Sequence, residues 1–244
     1  LNQLRQTLVS LGYQEAISFS FSDEKLEKKL NPAVQPLMLA NPISSELAAM
    51  RSTLLSSLIP SVQHNVNRQQ SRVRLFETGL RFIPSQNGIQ QLAQIPTLAL
   101  IATGSHLPEQ WHAKAKPIDF YDLKAEIEML LAAGRVQANY QATQRAWLHP
   151  GQSADILVNG KVVGYLGKLH PALADELDLA ETWVAELDIA PLMLPYVSNF
   201  TQLSRFPSVR RDIAILISDK IELDQIQASI RTAAGELLIQ SWLF

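Results

Sequence analysis

Cysteine is absent from the 244 residues, which excludes disulfides, thiolate nucleophiles and thiolate metal sites and suits a cytosolic chain. Charge is scarce as well. Asp, Glu, Lys and Arg make up 18%, and a formal net charge of -2 gives no bulk attraction to phosphate, so any contact with RNA has to come from a local patch. No run approaches the roughly 20 apolar residues that span a bilayer. The most apolar segments are broken by Pro, Arg or Asp, which argues against a membrane role. The chain opens on Leu1 rather than Met, in a segment patterned as an amphipathic helix and not as a secretion signal, which predicts a piece of a longer protein. What the sequence does have is apolar surface. Hydrophobic residues make up 47%, enough for a real core in one large domain or a domain and a fragment.

Leu4, Leu8 and Leu11 recur at helical spacing before Gly12, so the first dozen residues read as a helix with one buried face. Alternation in Ala16-Ile17-Ser18-Phe19-Ser20-Phe21 predicts a half-buried strand. Ser22-Asp23 then caps a short charged helix from Glu24 to Lys29, which Asn31-Pro32 ends. From Glu46 to about Gln69 two apolar stripes run along one predicted helix: Leu47, Met50, Leu54 and Leu58, and Leu55, Ile59, Val62 and Val66. Two stripes exceed what one sheet covers. Either the helix is buried on both sides or one face meets another chain, and Pro60 predicts a kink or two consecutive helices.

Arg72 to Phe82 alternates as a strand pair, with Val73, Leu75 and Glu77 to one side and Arg74, Phe76 and Thr78 to the other. Asn87-Gly88 signals a turn, and Thr97 to Ala102 reads as a strand buried on both faces and ending at Gly104. A polar loop from Ser105 to Pro117 carries Trp111. Next comes a helix capped by Asp119 or Asp122, with Leu123, Ile127, Leu130 and Leu131 on its core face and Gly134 at its end. Strands at Val136 to Gln141, Ala154 to Val158, Val162 to Leu169 and Thr182 to Leu187, with a hairpin turn at Asn159-Gly160, predict an antiparallel sheet. A helix from Pro171 to Leu177 interrupts them, and Pro191 and Pro195 mark the exit from the domain. Beyond Phe206-Pro207, Asp212 to Ser218, Leu223 to Ala233 and Leu237 to Leu243 read as strand, helix, strand, which is half of a split β-α-β, ferredoxin-like domain. The boundary falls at about Ser198 to Ser204, giving domains 1–200 and 205–244.

Arg51, Arg68, Arg72 and Arg74 cluster around the long helix and the strand after it, as a subunit or RNA contact or as solvated charge at a helix end. Glu77 lies in an apolar strand, where pairing with Arg81 or Arg74 outweighs an acid-base role. His149, Ser153 and Asp155 are the residue types of a hydrolase triad, but they crowd one loop and strand without a nucleophile elbow. The five histidines, at 64, 106, 112, 149 and 170, show no spacing that puts two on one helix face with a carboxylate, which argues against a metal site. Trp111 and Trp147 are read as core residues before interface anchors.

The run Asn41-Pro42-Ile43-Ser44-Ser45-Glu46, with Met50-Arg51, Leu54-Leu55, Asn65-Val66-Asn67-Arg68 and Leu75-Phe76-Glu77-Thr78-Gly79 following in order, resembles the core of phenylalanyl-tRNA synthetase β subunits of the bacterial type. Further matches are Tyr121-Asp122-Leu123-Lys124, His149-Pro150-Gly151-Gln152-Ser153-Ala154, Gly164 to Pro171, and Phe206 to Asp212, so the resemblance covers nearly the whole chain.

The resemblance implies an α+β, class II synthetase-like antiparallel sheet flanked by helices, joined to the truncated beginning of a ferredoxin-like anticodon-binding domain. It implies an α2β2 heterotetramer in which the α subunit uses ATP and Mg2+ to activate phenylalanine and charge tRNA, while the β core shares the fold without the catalysis. The editing domain and the β-associated magnesium ligands would lie upstream of Leu1. Arg74, Glu77 and Arg81 resemble a degenerate first ATP-binding element of the class. The second, a Gly-rich segment followed by an Arg-bearing helix, is missing, and Leu148-His149-Pro150-Gly151 stands in the candidate region. Catalysis needs both charge clamps at the phosphates. No catalytic residue, metal ligand or bound cofactor is therefore expected within this chain. The expected α-subunit contact is Met50, Arg51, Leu54, Leu55, Leu58, Asn65 and Arg68, and Arg210 and Arg211 are RNA-binding candidates. Two competing readings are an active adenylate-forming enzyme using Arg74 and Glu77, and an independent tRNA-binding module.

Overall fold

Helix α1 (Asn2–Ser10) opens the chain and leads through Gly12, at φ 83°, into β1 (Gln14–Glu15). The computed structural model describes residues 1–85, 88–193, 200, 205–219 and 221–243. Two units are distinguished, Leu1–Tyr196 and Val197–Phe244. The expected boundary at Ser198 to Ser204 and the Asn87 half of the expected turn lie outside the described residues.

After β1 the first unit runs through β2 (Phe21–Ser22), α2 (Glu24–Leu30), β3 (Ala49–Met50), α3 (Leu55–Val66), β4 (Val73–Ser85), β5 (Gly88–Thr103) and α4 (Phe120–Ala133). It closes with β6 (Asn139–Ala142), β7 (Leu148–Val158), β8 (Lys161–Leu169), α5 (Pro171–Glu176) and β9 (Thr182–Asp188). Seven strands form one sheet in the order β1-β4-β5-β9-β8-β7-β6. Only the β1–β4 pair is parallel. β2 and β3 form a separate antiparallel pair.

Local chemistry accounts for the boundaries. The Asp119 carboxylate accepts from the amides of Tyr121 and Asp122 while Asp122 accepts from Asp119 N–H, a reciprocal cap that starts α4. Asn159 and Gly160, at φ 51° and 75°, make the tight turn joining β7 to β8, a conformation whose twist matches the strands it links. The sheet is covered on both faces here, so β5 is apolar from Leu98 to Ala102 rather than alternating. Leu98, Leu100 and Ala102 face a core shared with α1 and α4, which also holds Tyr13, Phe76 and Trp183. Ala99 and Ile101 face the opposite core, with Leu75, Val184, Tyr165 and the buried side of α3.

The structure corrects three expected elements. The strand over residues 16–21 is reduced to Phe21–Ser22, and Ile17 is 93% exposed, because the chain leaves the sheet edge after Ala16 N–H donates to Phe76 O. The single helix from Glu46 to Gln69 is instead a short turn at Ser45–Leu47, the β3 strand and α3. Thr53 and Glu186 fix the later start: Thr53 Oγ1 accepts from Leu55 N–H, and the Glu186 carboxylate accepts from Leu54 N–H at 2.7 Å. Pro60 lies inside α3 without dividing it. In the second unit α6 (Leu223–Ala234) forms, ended by Gly235, but residues 212–218 and 237–243 are not strands among the described residues. A strand needs a neighbour for its backbone groups, and neither segment has a ladder partner there.

Candidate functional site

Cross-strand register places Glu77 opposite Ala99, Ala99 opposite Glu186, Glu186 opposite Tyr165 and Tyr165 opposite Asp155. Directly opposed residues share a face, so these side chains form one row across five strands on the α3 side of the sheet. The next row toward the β4–β5 hairpin holds Gly79, Thr97 and Asp188, with Arg81 beyond it. The face is thus apolar under α3 and polar at its other end. There Arg81, Arg145, Tyr165, Glu186 and Asp188 line a depression of about 110 Å³.

Each guanidinium around this row is held by a carboxylate of the same chain. Arg51 and Glu77 pair at 2.6 Å with side chains 3% and 4% exposed. Arg51 also donates to Leu80 O at 3.0 Å and to Phe19 O at 3.3 Å. Its guanidinium lies over Gly79, in the space any side chain there would take. Arg81 binds Asp188 at 2.8 Å. Arg145 binds Asp155 through two nitrogens, at 2.7 and 3.1 Å, and stacks 4.5 Å from the Tyr165 ring centroid.

Glu186 is buried and accepts from Thr53 Oγ1 at 2.9 Å, Leu54 N–H and Tyr165 Oη–H at 3.2 Å. Burial raises its carboxyl above the ordinary glutamate value, against the opposing pull of Arg81 and these donors. Burial, with the charge of Glu186, likewise holds the Tyr165 hydroxyl in its neutral form. On the other face Arg74 pairs with Glu126 and donates to Tyr13 Oη at 3.3 Å. Burial, then Glu126, suppresses Tyr13 ionisation.

These positions revise several expectations. The partner of Glu77 is Arg51, not Arg74 or Arg81. Arg74 points to the opposite face by the two-residue strand period, and Arg81, four residues and about 13 Å further along, is taken by Asp188. Arg74, Glu77 and Arg81 therefore do not converge on one point. Leu54, Leu55 and Leu58 are 0% exposed within this single chain, so burial on both sides is the alternative that holds for them and they present no surface to a partner. Arg51 is buried too, which leaves Met50 and Asn65, half-buried, and Arg68, exposed, as the accessible members of the expected contact.

Arg210 and Arg211 are exposed, and Arg210 lies beside Asp212 and 5.4 Å from the Trp242 ring centroid. His149 Nδ1 accepts from Gly151 N–H, Ser153 donates to Thr143 O, and Asp155 holds Arg145, so no triad is assembled. Among the described residues no three His, Asp or Glu gather to hold a metal ion. Trp147 joins the core as expected, whereas Trp111 stands 97% exposed.

Sequence reasoning missed Arg145, Tyr165, Glu186 and Asp188. For Glu186 the signal was available, since a lone carboxylate in the apolar run Thr182 to Leu187 is the feature that singled out Glu77. Arg145 gave none, because its partner depends on how the loop before β7 folds back.

A nucleoside triphosphate does not fit the depression as built. Its phosphates would have to displace Asp188 from Arg81 and Asp155 from Arg145, in a volume well below the roughly 300 Å³ at which ligand pockets begin.

A family model described as the phenylalanyl tRNA synthetase beta chain CLM domain matches residues 1–189. The chain belongs to this family. As a CLM-domain chain it is 66% identical over its whole length to a phenylalanine–tRNA ligase beta subunit from Acinetobacter baylyi, and 50% identical to one from Psychrobacter arcticus. It spans 31% of the length of each of these curated relatives. Among solved structures, the pyrrolysyl tRNA synthetase PylSc of Desulfitobacterium hafniense superposes with a TM-score of 0.57 at 16% identity, covering 79% of this chain and 64% of that one. At that identity the likeness is one of fold. The CLM-domain match ends within the first unit, just past β9.

Proposed function

We propose that this chain is a non-catalytic, class II synthetase-like core of the β subunit of a phenylalanine–tRNA ligase, acting in the cytoplasm as a scaffold for the α subunit of an α2β2 enzyme. In that enzyme α uses ATP and Mg2+ to attach phenylalanine to tRNA. The observation that carries the reading is the internal neutralisation of Arg51, Arg74, Arg81 and Arg145, which leaves no convergent guanidinium pair for a polyphosphate. The accessible residues of the α3 region, Met50, Asn65 and Arg68, are the proposed subunit contact. The second unit is proposed to begin a ferredoxin-like anticodon-binding domain, with Arg210 and Arg211 toward RNA, whose strands form once the rest of its sheet is present.

The test is reconstitution of intact β with its α subunit, followed by phenylalanine-dependent ATP–pyrophosphate exchange. Arg81→Ala and Arg145→Ala in β are expected to leave the exchange rate within about two-fold. A catalytic role would cost on the order of a hundred-fold or more, and a loss of that size in a tetramer of correct mass overturns the reading. Arg68→Glu is expected to weaken the mixed species in light scattering.

A further inference from the structure

The loop from Ser105 to Pro117 is clamped at its base and bare at its tip. Ser105 and Pro117 form an isolated antiparallel bridge, His106 N–H donates to Lys116 O at 2.8 Å, and Ile118 N–H donates to Gly104 O at 3.0 Å. Arg72, just before β4, donates to Ser105 O and His106 O, and Arg74 of β4 donates to His106 O, each at 3.2 Å. Two arginines, one in β4 and one just before it, thus hold the loop's root to the sheet. At the tip Trp111 is 97% exposed, with the His112 ring edge-on at 5.5 Å between centroids.

The charge around this ring is arranged by sign. Lys116 is engaged by Asp119 at 2.7 Å and Asp122 at 3.7 Å, both carboxylates also being committed to the α4 cap. Lys114 is exposed and has no carboxylate partner among the described residues, and Glu109 is the one acidic residue of the loop.

A protein interface buries its aromatic anchors among other apolar side chains, which exclude water from the centre of the contact. The residues flanking Trp111, Gln110, His112, Ala113 and Lys114, are small, polar or charged, all but the partly covered Gln110 being exposed, and between the bridged ends of the loop the other larger apolar side chains are confined to Leu107, 49% exposed, and Pro108 on the other side of Glu109. An exposed indole, an imidazole beside it and the exposed Lys114 ammonium of the same loop match what an unpaired nucleotide offers, a flat base and a phosphate. We infer that this loop is a stacking platform for unpaired RNA, Trp111 and His112 taking a base and Lys114 its phosphate. The inference rests on the proposed reading that the whole enzyme handles tRNA, and it assigns the contact to the Val73 end of β4, away from the depression beside Arg81.

The experiment uses intact β reconstituted with α. It measures filter binding of tRNA across a salt series, pyrophosphate exchange without tRNA, and the mass of the assembly. Trp111→Ala is expected to weaken tRNA binding about ten-fold, the scale of one lost base–aromatic stack, with exchange and mass unchanged. Trp111→Phe keeps a ring and is expected to stay within about three-fold. Lys114→Ala is expected to lower the salt slope by about one. Unchanged tRNA affinity in Trp111→Ala overturns the inference, and so does loss of the tetramer, which would make Trp111 a protein anchor. Failure of the unmodified complex to bind or charge tRNA would instead remove the reading beneath it.

Discussion

Replacing Glu77 by Leu leaves the Arg51 guanidinium buried without its counter-charge. The side chain cannot escape easily, because it is 3% exposed, seated over Gly79 and bonded to Leu80 O and Phe19 O. Breaking a buried pair on one side costs about 3–5 kcal/mol, which for a chain of this size lowers the melting temperature by about 6–20 °C. Arg51→Met exposes the same penalty from the other side, leaving the Glu77 carboxylate unpaired. The double variant Arg51→Met with Glu77→Leu removes both charges, so what remains is the loss of a donor at the Leu80 and Phe19 carbonyls and the half-buried Ser57 hydroxyl, at about 0.5–1.5 kcal/mol each. The double change is therefore expected to cost less than either single one, with a coupling energy of about 2 kcal/mol or more. Urea unfolding of the four proteins, analysed as a double-mutant cycle, measures it. Additive single effects would refute the claim that the two residues act as one buried unit.

Glu186→Gln should change the pH dependence of stability. Because burial raises the folded-state value of Glu186 above the ordinary 4.5, the folded chain binds this proton more tightly than the unfolded chain does. Stability from this residue accordingly falls as pH rises from the ordinary value through the raised one, and stays lower above it. Glutamine cannot ionise and keeps an acceptor for Thr53 and Leu54, so its stability relative to glutamate should improve as pH rises above the ordinary glutamate value; no such trend in urea midpoints would contradict the assignment. Gly104→Ala should destabilise far more than Gly160→Ala. Both glycines have positive φ, but a Cβ at 104 collides with Ser71 O while one at 160 meets nothing, so only the second is limited to about 1–2 kcal/mol of strain. Thermal melts separate the two cases. In hydrogen exchange, residues 212–218 should lose protection far sooner than β5, which is bonded on both sides.

Most of the sheet was legible because its strands declare themselves twice, by period and by turn chemistry. Thr97 to Ala102 reads as buried on both faces because it is, and Asn159-Gly160 fixes one hairpin by conformational preference alone. The α3 region misled because Leu47, Met50, Leu54 and Leu58 keep helical spacing across a stretch that is not helical. What starts the helix at Leu55 is a carboxylate from β9, and no local pattern carries a contact 132 residues away. The second unit failed differently: its alternation is real, but a strand is a property of a pair. The polar row was half visible. Glu77 stood out in its strand, whereas the identity of its partner required knowing that Arg51 folds back over Gly79.

The four ion pairs also bear on why a sheet with no convergent phosphate clamp keeps so many guanidiniums. Arg51–Glu77 fastens the segment before α3 to β4, Arg81–Asp188 ties β4 to β9, Arg74–Glu126 ties β4 to α4, and Arg145–Asp155 closes the loop before β7. Replacing such pairs with apolar residues of equal volume is often neutral, so net stability is a weak reason to retain them. Register is a better one. Arg74 lies on one face of β4 and Glu77 and Arg81 on the other, and a one-residue slip of β4 would turn Glu77 toward Glu126 and leave Arg51 without its partner. An apolar β4 would carry no such penalty for slipping, because β5 offers apolar neighbours on both sides. The charges diverge onto the chain's own carboxylates. The same side chains that deny the depression a phosphate clamp hold the scaffold in one pairing.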